Sequence, residues 1–359
     1  MKRDISGTSG ARMKNPRSRR PLTAIDLFSG AGGLTLGLRW AGFRVLGAIE
    51  KDPLAVRTYI RNHPRTRVWS NDIRKVHVTR VARALRLRPG QLDLLAGCPP
   101  CQSFSSVRTL NGGRRVRNKN QKDLLFQFLR FVRGLRPKAV MIENVPGLAK
   151  DRRLAGFRRE LRKLGYESRC KILNAADYGV PQRRLRVILL AGRFGPPPFA
   201  RGTNVKHTVR DAIAGLPTPG RMGDPLHDYS EKRSAKVLAL IKRIPKNGGG
   251  RVDLSNRDQL GCHKRLDGFK DVYGRMAWES VAPTITCGFV NPSKGRFLHP
   301  QQNRTITLRE GGLLQGFPRC YSFSLERGKF AAAGLIGNAL PPRFIMHLAR
   351  PIVGYVCSR

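Results

Sequence analysis

Short apolar runs alternate with stretches of helical period through the first half of the chain. Residues 23–28, 45–50, 92–97, 139–143 and 186–192 read as buried strands, with helices between them and a further strand expected just before Asp72. Strands and helices in alternation predict an α/β domain: a mostly parallel, Rossmann-like sheet covered on both faces. The pattern stops at Phe194, where Gly195-Pro196-Pro197-Pro198 reads as a linker. From about 196 to 300 the chain is rich in Gly, Pro, Asn and Arg, with a helix expected over 234–244 and strand-like pieces such as 284–290. Helical patterning returns over 305–315 and 341–353. These shifts divide the chain into a disordered basic arm (1–20), a catalytic and cofactor-binding domain (21–195), a smaller irregular target-recognition domain (196–300) and a return to the first domain (301–359).

Charge changes the picture most. The 359 residues carry 69 Lys and Arg against 23 Asp and Glu, a net +46 that is spread along the chain and not confined to one tail. Such an excess points to a polyanionic partner. Nucleic acid fits better than a membrane surface, because the basic runs at 14–20, 114–119 and 183–186 do not form amphipathic helices. No apolar run approaches the roughly 20 residues of a membrane span. Seven cysteines, an odd and scattered set, do not make a disulfide framework. A cytoplasmic, nucleoid-associated protein with no membrane partner is expected.

Candidate chemistry sits where predicted strands end. After the first strand comes Asp26-Leu27-Phe28-Ser29-Gly30-Ala31-Gly32-Gly33, and Leu34 opens a helix. Glycines there let the backbone turn tightly against a ligand, and a helix N-terminus offers unpaired N–H groups, so a nucleotide-like cofactor is the usual occupant. Thr35 stands where the third glycine of G-x-G-x-x-G belongs, which counts against a dinucleotide. Glu50, at the end of the second strand, is placed to accept ribose hydroxyls, and Asp72 to reach an adenine amino group. After the fourth strand comes Gly97-Cys98-Pro99-Pro100-Cys101-Gln102-Ser103-Phe104-Ser105. Its C-x-x-C spacing admits a redox pair, half of a zinc site or a nucleophile; the remaining cysteines are too dispersed to complete a zinc site. The polar stretch that follows reads as a mobile basic loop able to close over a polyanion. Glu143-Asn144-Val145-Pro146 ends the fifth strand on the same sheet edge, within reach of a nucleophile that needs an acid or base. Gln182-Arg183-Arg184-Leu185-Arg186 leads into the next strand.

Taken in order, Phe28-Ser29-Gly30-x-Gly32-Gly33, Pro100-Cys101-Gln102, Glu143-Asn144-Val145, Gln182-x-Arg184-x-Arg186, Arg309-Glu310 through Leu314-Gln315-Gly316-Phe317-Pro318, and Gly337-Asn338-Ala339 resemble the signature blocks of the DNA cytosine-5 methyltransferases, of the bacterial type. The resemblance spans residues 26–342 except the stretch from about 196 to 278. It implies S-adenosylmethionine as cofactor, held by Asp26, Phe28, Gly30, Gly32, Gly33, Leu34, Glu50, Asp72, Ile73, Pro100 and Asn338, the last also expected in a turn that ties the final helix to the sheet. It implies Cys101 as the nucleophile at cytosine C6, Glu143 as the group that holds a proton at N3, and Arg186 with Arg184 as hydrogen-bond donors to O2. The substrate it implies is double-stranded DNA with the target base flipped out. Gln102, Ser105, Arg108, Arg114, Arg115 and Arg117 are expected on that DNA. The resemblance implies no metal, a monomer, and the option of a companion restriction endonuclease. Two alternatives share the blocks, a tRNA cytosine-5 methyltransferase and an inactive DNA-binding relative. The long stretch after Phe194 and the absence of a Cys-Phe-Thr tripeptide weigh against the first; intact Cys101, Glu143 and Arg186 weigh against the second.

Overall fold

A computed structural model describes residues 20–100, 124–229, 232–255 and 270–358. Apolar runs become strands β1 (Leu22–Leu27), β2 (Phe43–Ile49), β4 (Leu94–Gly97), β5 (Ala139–Asn144) and β7 (Leu185–Gly192), joined by β3 (Arg67–Trp69) and β6 (Glu167–Asn174) in the order β3-β2-β1-β4-β5-β7-β6. Neighbours from β3 to β5 run parallel; β7 is antiparallel to both β5 and β6. The sheet is therefore mostly parallel, as expected. The register pairs Leu27 with Gly97 and Gly97 with Ile142, so the chain leaves β1, β4 and β5 at one edge. Because β7 runs the other way, opposite Asn144 at Val187, its first residues begin at that same edge.

Helices cover both faces. On one lie α3 (Val78–Ala84), α4 (Leu124–Leu135) and α5 (Arg152–Lys163), whose Phe128, Phe131 and Phe157 pack on Ile25, Leu95 and Val140. On the other, α1 (Gly33–Trp40) packs against the last helix, α10 (Pro342–Cys357), through Leu38, Phe344, Ile345 and Leu348. Burying each such side chain contributes about 1.5–3 kcal/mol relative to exposure. Helix α2 (Pro53–Asn62) starts at Asp52, whose carboxylate caps the N–H groups of Leu54 and Ala55.

Among the described residues beyond β7 lie three short helices and little strand: α6 (Val209–Ile213), α7 (Ala235–Arg243, capped by Ser234 as its pattern predicts) and α8 (Leu308–Leu314). Then comes α9 (Gly328–Asn338). Val209, Phe289, Leu308, Phe323 and Ile336 share one apolar cluster with Ala31. Two expectations are corrected here. Residues 284–290 form loop and turn, not strand, because side chains replace a partner strand: Ile285 N–H donates to Gln182 Oε1 and its carbonyl accepts from Arg184 Nη1. Asn338 is the last residue of a helix and does not lie in a turn.

Arg275 holds this region together from inside. It is fully buried, and its guanidinium donates to the carbonyls of Ile241, Ile244, His299 and Gln302 and to Asn303 Oδ1, at 2.6–3.1 Å. Lysine has fewer donors and cannot fork between two segments. Arg275→Lys is predicted to destabilise the chain by about 2–4 kcal/mol by leaving buried carbonyls unpaired; an unchanged urea midpoint would contradict this.

Candidate active site

Three chain segments meet at the sheet edge. The first is the turn after β1. Phe28 has φ 61°, a strained conformation for a bulky residue, and Gly30 (φ 53°) and Gly32 (φ 90°) continue the left-handed path. Among the described residues, a side chain added at Gly30 would meet nothing within 4 Å, so they leave the space over the turn open. Ser29 N–H donates to Ile49 O and Gly30 N–H to Glu50 Oε2 (2.8 Å), while Glu50 Oε1 accepts from the N–H groups of Lys51 and Asp52, both 2.8 Å. Glu50 is thereby fixed beside the glycine turn, with acceptor capacity left on Oε2.

Under the turn lies Asp26, fully buried. Its Oδ2 accepts from Thr35 Oγ1 (2.7 Å), and Thr35 shares a 2.7 Å hydrogen bond with Tyr59. Among the described residues, Asp26 Oδ1 and Ser29 Oγ have no partner. Burial pushes the Asp26 carboxyl up to about 8, opposed by the Thr35 hydrogen bond. An acid raised in this way holds a proton that the unfolded chain, near pKa 4, has already lost. Its contribution to stability therefore declines as pH rises from about 4 to about 8. Asp26→Asn is predicted to remove that slope. Urea midpoints at pH 6 and pH 8.5 test it, and a wild-type decline matched by the variant would refute it.

Asp72 follows β3 and caps a short 3-10 turn, Ile73–Lys75. Hydrogen bonds from Arg74 hold its carboxyl down at about 2. The side chains of Ile73 and Leu34 are buried in the two sheet cores, so only their backbones are left to face a ligand. Asn338 Oδ1 accepts from Cys287 Sγ at 3.0 Å on an exposed surface, which joins α9 to the 284–290 loop.

The second and third segments carry Cys98 to Pro100 and Glu143 with its partners. Glu143, 7% exposed, pairs through Oε1 with Arg186 Nε at 2.8 Å, one strand across the sheet. Asn144 Nδ2 donates to Pro99 O at 2.8 Å, tying the segment that leads to Cys101 onto the end of β5. Burial, and then the Glu143 carboxylate, push the Cys98 thiol well above its usual value, so Cys98 stays protonated. Arg184 behaves differently from Arg186. It is buried, donates to Gln182 Oε1, Ile285 O and Gly337 O, and burial lowers its pKa to about 9. Arg184 is thus a clamp between β7, the 284–290 loop and the end of α9. Cys101, Gln102, Ser105, Arg108, Arg114, Arg115 and Arg117 lie outside the described residues.

The Arg309-Glu310 and Gln315 block builds architecture. Glu310 completes a capping box with Thr307 and pairs with Arg304, while Arg309 pairs with Asp224 and donates to Tyr321 O. Gln315 donates to Ile336 O. Sequence reasoning missed His63 and Tyr321, which touch the glycine turn from below: Tyr321 OH donates to Ala31 O, and His63 Nε2 lies 3.1 Å from Gly32 O. A lone His or Tyr outside any motif carries no signal for such a role.

A family model for C-5 cytosine-specific DNA methylase matches residues 22–354, taking in every segment of this edge. The chain belongs to that family. Among similar methylases, Type II methylase M.HgiDII of Herpetosiphon aurantiacus is 38% identical over 334 residues, covering 88% of this chain and 91% of that protein. Type II methyltransferase M1.HphI of Haemophilus parahaemolyticus is 32% identical over 342 residues, covering 92% and 87%. Among solved structures, the S. pombe Dnmt2 methyltransferase superposes with a TM-score of 0.59 at 19% identity, over 93% of this chain and 99% of that one, a likeness of fold.

Proposed function

We propose that this methylase transfers a methyl group to C5 of a cytosine flipped out of a specific site in double-stranded DNA, with Cys101 as the nucleophile. The observation that carries the reading is the Glu143–Arg186 pair at the end of β5, with Asn144 holding the approach to Cys101 against it. S-adenosylmethionine fits the cradle beside it: the orphaned Asp26 Oδ1 and Ser29 Oγ, the open space at Gly30 and the oriented Glu50 carboxylate leave polar atoms for a ligand to satisfy. That group supplies an electrophilic methyl. Phe28 offers a ring face to its adenine, Glu50 accepts from its ribose hydroxyls, and Asp72, Ile73, Leu34, Pro100 and Asn338 complete the cradle.

Cytosine C5 is a poor nucleophile, so density must first be pushed onto it. In the proposed sequence the Cys101 thiolate adds at C6, forming a C–S bond, and negative charge spreads to N3 and O2. Glu143 holds a proton at N3 and Arg186 donates to O2, stabilising that charge where it develops. Once C5 carries the methyl, water takes its proton, and the freed C–H electron pair restores the C5=C6 double bond and expels Cys101 as thiolate. Arg184 positions Arg186 by fixing the entry to β7.

Flipping the base out of the stack costs a few kcal/mol. Basic side chains offset part of it: Arg108, Arg114, Arg115 and Arg117 lie in the stretch after Cys101, where phosphate contacts are proposed, with Gln102 and Ser105 nearer the base. Residues 196–300 read the sequence in the major groove. The test is bisulfite sequencing of DNA from cells expressing the chain beside a Cys101→Ser control. Methylated cytosines at one sequence context in the first sample alone are expected; methylation persisting in the control removes Cys101 from its role, and transfer to tRNA alone overturns the DNA assignment.

A further inference from the structure

Two successive carbonyls of the glycine turn are held from below by side chains that no signature block contains. Tyr321 OH donates to Ala31 O at 2.5 Å. His63 Nε2 lies 3.1 Å from Gly32 O and 3.0 Å from Tyr321 OH, and His63 is 1% exposed. The tautomer follows from the other ring nitrogen. Nδ1 faces the Arg39 guanidinium at 3.4 Å, which can only donate, so Nδ1 accepts and Nε2 carries the hydrogen. Burial, helped by Arg39, lowers the ring's pKa to about 4, so His63 is neutral near pH 7.

We infer that His63 and Tyr321 are positioning residues for the methyl donor, a brace that fixes the direction of the backbone N–H groups over which the donor lies. A peptide unit is planar and trans, so its C=O and N–H point opposite ways. Pinning Gly32 O downward therefore aims the Gly33 N–H upward, and Gly33 is the first residue of α1, whose opening N–H groups have no acceptor within the helix. Gly32 O accepts from both Leu36 N–H (2.9 Å) and His63, which uses both of its lone pairs. The brace also accounts for glycine at 32: a Cβ there would come within 2.5 Å of His63 Nε2 and 2.8 Å of Tyr321 OH. Both ends are anchored. His63 N–H donates to Tyr59 O at the end of α2, while Tyr321 O accepts from Arg309, itself paired with Asp224. The glycine turn is thus aimed by a strut footed on the core that also packs the region beyond Val209.

The inference rests on S-adenosylmethionine as the donor, and the experiment separates the two claims. Binding of S-adenosylmethionine to the full chain without DNA is titrated by calorimetry for wild type, Tyr321→Phe, His63→Leu, His63→Gln and the Tyr321→Phe/His63→Leu double variant, with urea midpoints and steady-state rates alongside. Tyr321→Phe and His63→Leu are each expected to weaken donor affinity about tenfold, with kcat at saturating donor and KM for DNA within about threefold of wild type. The double variant should lose less than the product of the two, because the side chains act as one brace. Glutamine keeps an N–H near the Nε2 position, so His63→Gln should retain affinity within about threefold. Donor affinity unchanged in Tyr321→Phe and His63→Leu, whatever happens to their urea midpoints, would overturn the inference. A wild-type chain that does not bind S-adenosylmethionine would overturn the functional reading and this inference with it.

Discussion

Replacing Cys101 with serine should lower methyl transfer by about four orders of magnitude or more while leaving donor affinity and the urea midpoint unchanged. Serine keeps the shape of the side chain and loses its chemistry: a hydroxyl near pH 7 has almost no anion to add at C6, whereas a thiol in a basic surrounding has a substantial thiolate fraction. Binding of duplex DNA should survive, because phosphate contacts and base flipping do not need the C–S bond. Single-turnover rates with a site-containing duplex measure the loss. A serine variant that keeps a tenth of the rate would mean that the activation of C5 proceeds without a covalent bond to this residue.

The second large effect is expected at Glu143. Glu143→Gln is isosteric and can still donate a hydrogen bond, yet it cannot give or take a proton at N3. A fall in kcat of about 10²–10⁴ is expected, with donor affinity unchanged, since Glu143 faces Arg186 and Cys98. The ion pair with Arg186 is lost as well, which loosens the donor aimed at O2 and adds to the fall. A drop in donor affinity equal to the drop in rate would place Glu143 in the cradle instead of at the base.

Much of this edge was legible in the sequence because parallel strands buried on both faces read as unbroken apolar runs. Residues 94–97 and 139–142 are of that kind, and they lead into the Cys98–Cys101 segment and Glu143, which carry the proposed chemistry. The strand that the pattern missed and the one it placed only as a short piece just before Asp72 are both sheet edges. Glu167–Asn174 mixes Arg, Lys and Ser with apolar residues because much of it is exposed, and Arg67–Trp69 is too short to show a period. Direction was hidden too: β7 runs antiparallel because residues 175–184 connect it to β6 without a crossover helix, a fact of topology and not of local pattern. Helix α9, with three glycines in Gly328–Asn338 and no polar face, lacks the stripe that announces a surface helix.

The candidate site shows the same division. Glu143 and Arg186 lie in the terminal residues of β5 and β7, where motif and sheet edge found them together, and Glu50 directly follows β2, where position alone found it. Arg184 shares its motif with Arg186, yet only the structure separates the clamp from the residue that faces Glu143. His63 and Tyr321 lie 258 residues apart and meet beneath one turn, and no local pattern encodes that meeting.

Methyl transfer by the proposed route requires a transient bond between the sulfur of Cys101 and C6 of an extruded cytosine. A duplex carrying 5-fluorocytosine at the methylated position blocks the last step, because fluorine at C5 cannot leave as a proton does. With S-adenosylmethionine present, the wild-type chain should become covalently joined to that duplex and migrate as a denaturation-resistant adduct, and Cys101→Ser should not. A wild-type chain that methylates the unmodified duplex yet forms no adduct with the fluorinated one would contradict the claim.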